Sequence, residues 1–324
     1  MVTLLTGARS GLGRRVAASL HGDTVVELVG SEPGVLAADQ LVHLAAGDHD
    51  ALASRRMNAV DITQRVLDTA TASGVNHVVL LSSAMVYGAW PNNPVPLTED
   101  APLRPDPGFA FVEQVAQVEQ LADEWRTSAP GRSVAVLRPA LALAADGTSS
   151  VVRALAAGLG SRIDEDDPPA QFLHLDDLAS AVVLAHDQRL DGVYNVAADG
   201  WIPGETVRAL AGTPPRLRLP SWLAEHVADL RWRFQRGPIP PGLRPYARHP
   251  WLVASDRLRA AGWVPTTTNE QAYVEGTEAK WWTMLTPKRK QELSLTAMSL
   301  LSLGALALLM LTIRRARSRL TSSA

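Results

Sequence analysis

Residues able to hold an anion come first in the chain. Thr6, Gly7, Arg9, Ser10, Gly11, Leu12 and Gly13 stand in the string TGARSGLG, between an apolar run at 2–5 and a helix-like stretch at 12–20. Glycines at a strand-to-helix turn are the setting of a dinucleotide fingerprint. Gly7 would make the tight turn, Gly11 would let backbone approach a pyrophosphate, and Gly13 would let the helix pack on the sheet. The first N–H groups of that helix then meet the anion. The same glycines also suit a turn that holds no ligand. A second chemical position follows the apolar run 78–81: Ser82 and Ser83 end it, where parallel strands present their carboxyl edge to ligands. His43 reads as a core histidine rather than a base. His174, Asp176 and Asp177 could in principle hold a metal, but adjacent carboxylates at a helix start are caps. Asp177 is therefore expected to cap a helix from Leu178, and no metal is expected.

The elements that must position these residues read as alternating strands and helices. A chain of 324 residues, 46% hydrophobic, is long enough to bury a full α/β core with a smaller second lobe. A formal net charge of −2 argues against nucleic acid as a partner. With no cysteine, disulfides, thiolate catalysis and Cys-ligated zinc are excluded. No signal-peptide pattern precedes the first strand, so the folded part is expected in the cytoplasm. The near-exclusive use of Arg over Lys suggests a GC-rich bacterial genome.

Four strings, TGARSGLG (6–13), DQLVHLAA (39–46), LLSSAMVYG (80–88) and FLHLDDLASAV (172–182), resemble the short-chain dehydrogenase/reductase superfamily in its extended, NAD-dependent epimerase/dehydratase branch. The resemblance covers about residues 1–275. It implies a Rossmann-type doubly wound parallel sheet, with core at about 1–145 and 172–198 and a substrate lobe at about 146–171 and 199–275. It also implies NAD or NADP as cofactor, Ala45 and Ala46 beside the pyrophosphate and ribose, Asn58 as a structural residue, and Ser83 as the hydroxyl facing the reacting substrate oxygen. Relatives often dimerise through the helix that carries the catalytic Tyr-x-x-x-Lys.

That pair is where the chain departs from its family. The Tyr position reads Phe111 and the Lys position Val115, with Glu119 in register four residues later. A phenyl ring has no proton to give or take, and Val cannot lower a neighbour's pKa. Glu113 is either a relocated base or a solvated helix residue. A second departure is the strand read at 25–29, which ends Val29-Gly30-Ser31 where an acid would accept from ribose, with Glu32 a late substitute. The chain then reaches Asp39 in one short link, so the usual adenine-side wall is missing or rebuilt. A third is Ala142-Leu143-Ala144-Ala145, which stands where a Gly-Pro is usual.

The C-terminal end reads as a basic, Trp-bearing linker at 276–292, a membrane-spanning helix at 293–313 and a basic tail at 314–324. The span has 21 residues without charge or proline, against the ~20 needed to cross a bilayer. Arginines and lysines flank it, as at a membrane boundary. A buried or interfacial helix is the alternative. The stretch 221–236 reads as an amphipathic helix, either a lid or a membrane-facing surface. The expectation is a protein on the cytoplasmic side of the cell membrane, anchored by one C-terminal span. It would bind NAD(P) or a sugar nucleotide as a binding, scaffold or regulatory protein. The alternative is an active epimerase, dehydratase or reductase with a relocated acid/base, acting on a lipid-linked or nucleotide-sugar substrate.

Overall fold

In the computed structural model, residues 1–28, 37–45, 58–159, 168–212 and 241–277 are described. The chain divides into two compact units, Met1–Glu278 and Ala279–Ala324. The first is built on a six-stranded parallel sheet in the order β2-β1-β3-β4-β5-β8. Its strands are β1 (Val2–Thr6), β2 (Thr24–Glu27), β3 (Gln40–His43), β4 (His77–Leu81), β5 (Ser133–Pro139) and β8 (Gly192–Val196). The middle strands β3 and β4 are buried at every residue, as expected of strands covered on both faces.

Helices α1 (Gly11–Ser19) and α5 (Leu175–Asp187) pack together on one face; α2 (Ala59–Ala72) and α3 (Ala110–Thr127) pack together on the other. The chain leaves β1 for β2 on one side and β3 on the other. The sheet therefore changes direction between β1 and β3, which places a ligand crevice at their carboxyl ends. Among the described residues the sheet ends at β2, in line with the short link read at 30–39.

A smaller parallel pair, β6 (Leu141–Leu143) with β7 (Phe172–His174), lies with helix α9 (Asn269–Gly276). Helix α4 (Ser150–Gly158) contributes Val151 and Leu155 to the apolar cluster that includes Leu141 and Phe172. Three short α-helices, α6 (Gly204–Leu210), α7 (Arg244–Arg248) and α8 (Asp256–Ala260), and two 3-10 turns, Ala84–Tyr87 and Pro241–Leu243, complete the helices among the described residues.

Two expectations are corrected. The second strand stops at Glu27, not Val29. The membrane-spanning helix, and with it the membrane as a partner, is not borne out, because no helix among the described residues is long and apolar enough to cross a bilayer. The longest, α3, has 18 residues and carries Glu113, Glu119, Asp123, Glu124 and Arg126, so it suits a half-solvated surface rather than lipid. The segment 293–313 that prompted the expectation, and the stretch 221–236, lie outside the described residues.

Candidate functional site

The glycine turn is formed as its residue types require. Gly7 sits at φ +74°, the left-handed region that favours glycine. A Cβ at Gly13 would collide with the Gly7 carbonyl oxygen and with Ala8, so only glycine lets the helix start fold back on the turn. Ser10 is the N-cap of α1. Its hydroxyl donates to the Gly7 carbonyl at 2.8 Å and accepts from the Gly13 N–H at 2.9 Å, so it is consumed in building the turn.

Thr6 is likewise turned inward. Its Oγ1 lies 2.7 Å from His43 Nδ1 and accepts from Ala45 N–H at 3.1 Å, tying the ends of β1 and β3. The other ring nitrogen of His43 is 2.9 Å from Thr63 Oγ1. Burial lowers the His43 pKa to about 4, so it stays neutral and structural. Ala46 lies outside the described residues.

An acid does stand at the end of β2. Glu27 is 20 residues after Gly7, the spacing at which a ribose-binding acid is sought, and it pairs with Arg9 at 3.3 Å. Both face solvent to some degree, Arg9 being 81% exposed. The sequence reading passed over Glu27 because it extended the strand by two residues.

Between the glycine turn and the end of β4 lies a cavity of about 300 Å³. Ser83 and Phe111 both line it, together with Ser10, Gly11 and Leu12 at the start of α1. Phe111, which stands at the family's Tyr position in the sequence, thus shares one cavity wall with Ser83. Ser83 Oγ accepts from the Met85 N–H at 3.2 Å, which leaves its proton for a ligand. The rest of the described wall is apolar, with Leu44, Leu81, Met85 and Val152 among it, and the further polar residues are Ser82, Thr148 and Ser149. Among the described residues no acid, base or cation lines this cavity.

Helix geometry separates Glu113 from the cavity-lining face of α3. Successive residues turn by about 100° around a helix axis, so Val115 lies near the direction of Phe111 while Glu113 points about 200° away. Val115 is fully buried in the apolar cluster with Met85, Val112 and Leu143. Glu113 lines a different, outer groove of about 760 Å³ beside β5 and β8. Gln114 Oε1 accepts from the Ala59 N–H at 3.0 Å, at the start of α2, where Asn58 is the N-cap.

Glu119 is held in a buried network the sequence did not reveal. Ser82 Oγ donates to it, and Arg138 grips it through Nη2 at 2.5 Å and Nε at 3.0 Å. Arg138 also donates to the Tyr87 hydroxyl at 2.7 Å, and Tyr87 donates to Asn195 at 2.9 Å. Burial is the largest influence on Arg138 and opposes its charge, but the hydrogen bonds it donates to Glu119, the attraction of that carboxylate and the contact with Tyr87 together outweigh it and raise its pKa. The network binds β4, β5, β8 and α3 into one body.

The reading of Asp177 is corrected. His174 caps α5, accepting from Asp176 N–H at 3.2 Å, whereas Asp177 is 2% exposed and accepts from Thr266 N–H, Thr266 Oγ1 and Thr267 N–H at 2.9, 2.7 and 2.9 Å. It clamps the segment before α9 rather than a helix end. No metal-binding cluster of acids and histidines is present among the described residues.

A nicotinamide dinucleotide suits these residues at its nicotinamide end, where the apolar wall of the cavity fits an aromatic ring, and the start of α1, with no acid in its first turn, opens on that cavity. At the middle, Gly11 meets the chain itself. A Cβ on Gly11 would lie 2.5 Å from Gly147 Cα, so the turn 144–149 rests on the place where backbone would approach a pyrophosphate.

Comparison with known proteins agrees with this frame. The protein-family model described as the NAD dependent epimerase/dehydratase family matches residues 33–197, beginning after the glycine turn. A 3-diazoavenalumate denitrifying reductase from Streptomyces is 31% identical over 271 residues, covering 78% of this chain and 82% of the relative. Among solved structures, the UDP-glucose 4-epimerase of Thermus thermophilus in complex with NAD is similar with a TM-score of 0.61 and 18% identity, covering 85% of this chain and 97% of that one. RMD from Pseudomonas aeruginosa complexed with NADPH matches with a TM-score of 0.58 and 20% identity, over 85% and 98% of the two chains. At such identities these two show the fold alone.

Proposed function

The chain belongs to the NAD-dependent epimerase/dehydratase family, and from that premise we propose that it binds a nicotinamide dinucleotide, NAD or NADP, at the glycine turn without running the Tyr/Lys proton transfer of its relatives. One observation carries the reading: Phe111 and Ser83 line one cavity whose described wall holds no ionisable side chain, while Val115 is sealed in apolar packing. When bound, the dinucleotide supplies hydride exchange. Ser83 offers one hydrogen bond, which can orient an oxygen or nitrogen but cannot accept a proton at neutral pH. Such a protein serves as a binding or regulatory subunit, with the dinucleotide or a sugar nucleotide as its ligand.

A second reading has its own support, in the denitrifying reductase that is 31% identical to this chain. Reductive loss of a diazo group needs no acid or base from the protein. A hydride forms the new C–H bond, the C–N pair leaves with dinitrogen, and the reduced dinucleotide is the only reductant. An active site with Ser83 and Phe111 but no Tyr/Lys pair is compatible with a substrate that carries its own leaving group.

Calorimetric titration of the protein with NAD, NADH, NADP and NADPH tests the main reading. Micromolar affinity for at least one is expected; no binding to any of the four overturns it. If NADH or NADPH binds, its oxidation on addition of an aryl diazonium salt, with dinitrogen released, separates the second reading from the first.

A further inference from the structure

The turn 144–149 touches the glycine turn through two glycines. Gly147 at φ +83° lies backbone to backbone on Gly11, and a Cβ on either glycine would come within 2.5 Å of the other's Cα. Asp146 adds charge to the contact: its Oδ1 accepts from Arg15 Nη2 at 2.5 Å, and its Oδ2 lies 3.5 Å from Arg14. Arg15 is held from the other side by Asp176, at 2.5 Å. The turn is internally braced, since Thr148 Oγ1 donates to the Ala144 carbonyl at 2.7 Å and accepts from the Ala144 N–H at 3.0 Å. It can therefore move as a unit, between β6 and the Ser149 N-cap of α4.

We propose that this turn is a strap latched over the glycine turn, and that a dinucleotide's diphosphate is admitted only when the strap lifts. The proposal rests on the dinucleotide-binding reading above. Gly147 takes the space beside Gly11 that backbone contact with a diphosphate needs. Asp146 places a negative charge near the positive end of α1 and occupies Arg14 and Arg15, two cations of its first turns. A diphosphate offers the same oxygens with more charge, so it competes with Asp146 for the same groups. The latch is weak enough to open, because Asp146 is 62% exposed and surface ion pairs of this kind contribute little.

Two measurements on the full chain test the strap. NADH and NADPH affinities are compared among the wild type, Asp146→Asn, and Asp199→Asn, which removes a comparable surface pair with Arg259 away from the site. In parallel, hydrogen exchange of the amides at 145–148 is followed with and without saturating NADH or NADPH. The strap requires that Asp146→Asn bind about threefold to tenfold tighter with Asp199→Asn unchanged, and that bound dinucleotide speed exchange at 145–148. Equal affinities, or exchange at 145–148 slowed by bound dinucleotide, would overturn the strap while leaving dinucleotide binding intact. Absence of binding in all three proteins would instead overturn the dinucleotide reading, and the strap with it.

Discussion

At the scale of single residues, replacement of the catalytic pair is built into the packing, not just the letter. Val115 has no exposed surface, so Val115→Lys would bury an ammonium among Met85, Val112 and Leu143 with no partner among them. The expected cost is about 3 kcal/mol or more, read as a drop in the urea midpoint. Phe111→Tyr, in contrast, adds a hydroxyl at a cavity wall and should cost under about 1 kcal/mol. The double variant is expected to remain without Tyr/Lys-type alcohol oxidation, and an NAD(P)-dependent oxidation rate clearly above the wild type would refute that.

Glu27 and Arg9 make a second residue-scale case. An acid at the end of β2 suits a ribose hydroxyl, and an arginine beside it suits a 2′-phosphate. Glu27→Gln should release Arg9 and shift the NADPH to NADH affinity ratio upward by about tenfold; an unchanged ratio would show that neither side chain reaches the ribose.

At the scale of elements, buried polar clamps hold the strand ends and helices that frame the cavity. Asp177 satisfies two backbone N–H groups and one hydroxyl from Thr266 and Thr267. Asp177→Ala leaves those donors, on the exposed Thr266 and the half-buried Thr267, to water alone, at an expected cost of about 1–2 kcal/mol. Hydrogen exchange should then rise first at Thr266 and Thr267, ahead of the sheet; a uniform rise would mean that Asp177 acts on global stability instead. Helix α3 shows the same economy, with Phe111 at the cavity, Glu119 in the buried network and Glu113 in the outer groove, each direction fixed by helical spacing.

At the scale of the whole molecule, two buried histidines make the fold acid-sensitive. Burial lowers His43 to about 4, and burial with Arg189 nearby lowers His77 to about 4, from an ordinary value of 6.5. A folded pKa below the unfolded one means that the neutral form is favoured in the fold. The associated stability is present above about pH 6.5 and is lost as pH falls towards 4. With about 1.4 kcal/mol per pKa unit, each histidine accounts for up to about 3 kcal/mol across that window. Unfolding free energies measured from pH 7.5 to 4 should fall steeply below 6.5, and His43→Asn should flatten part of that slope. A flat profile in the wild type would refute the assignment.

The sequence by itself determined what depends on local order. Glycines placed between an apolar run and a helix must form a turn, apolar runs of four or five residues must become buried strands, and the short link after β2 leaves no length for another strand and helix among its few residues. The fixed spacing from Ser83 to Phe111, Val115 and Glu119 also fixed which helix positions answer the family's catalytic pair. Tertiary structure decided what depends on distant segments meeting. Only the packed sheet shows that β2 stops at Glu27 beside Arg9, that Asp177 reaches Thr266 rather than its own helix, and that Gly147 comes to rest on Gly11. Those contacts join residues from about 18 to more than 130 positions apart, and chain pattern carries no record of such pairings, because they are selected by burial and charge after the strands have assembled.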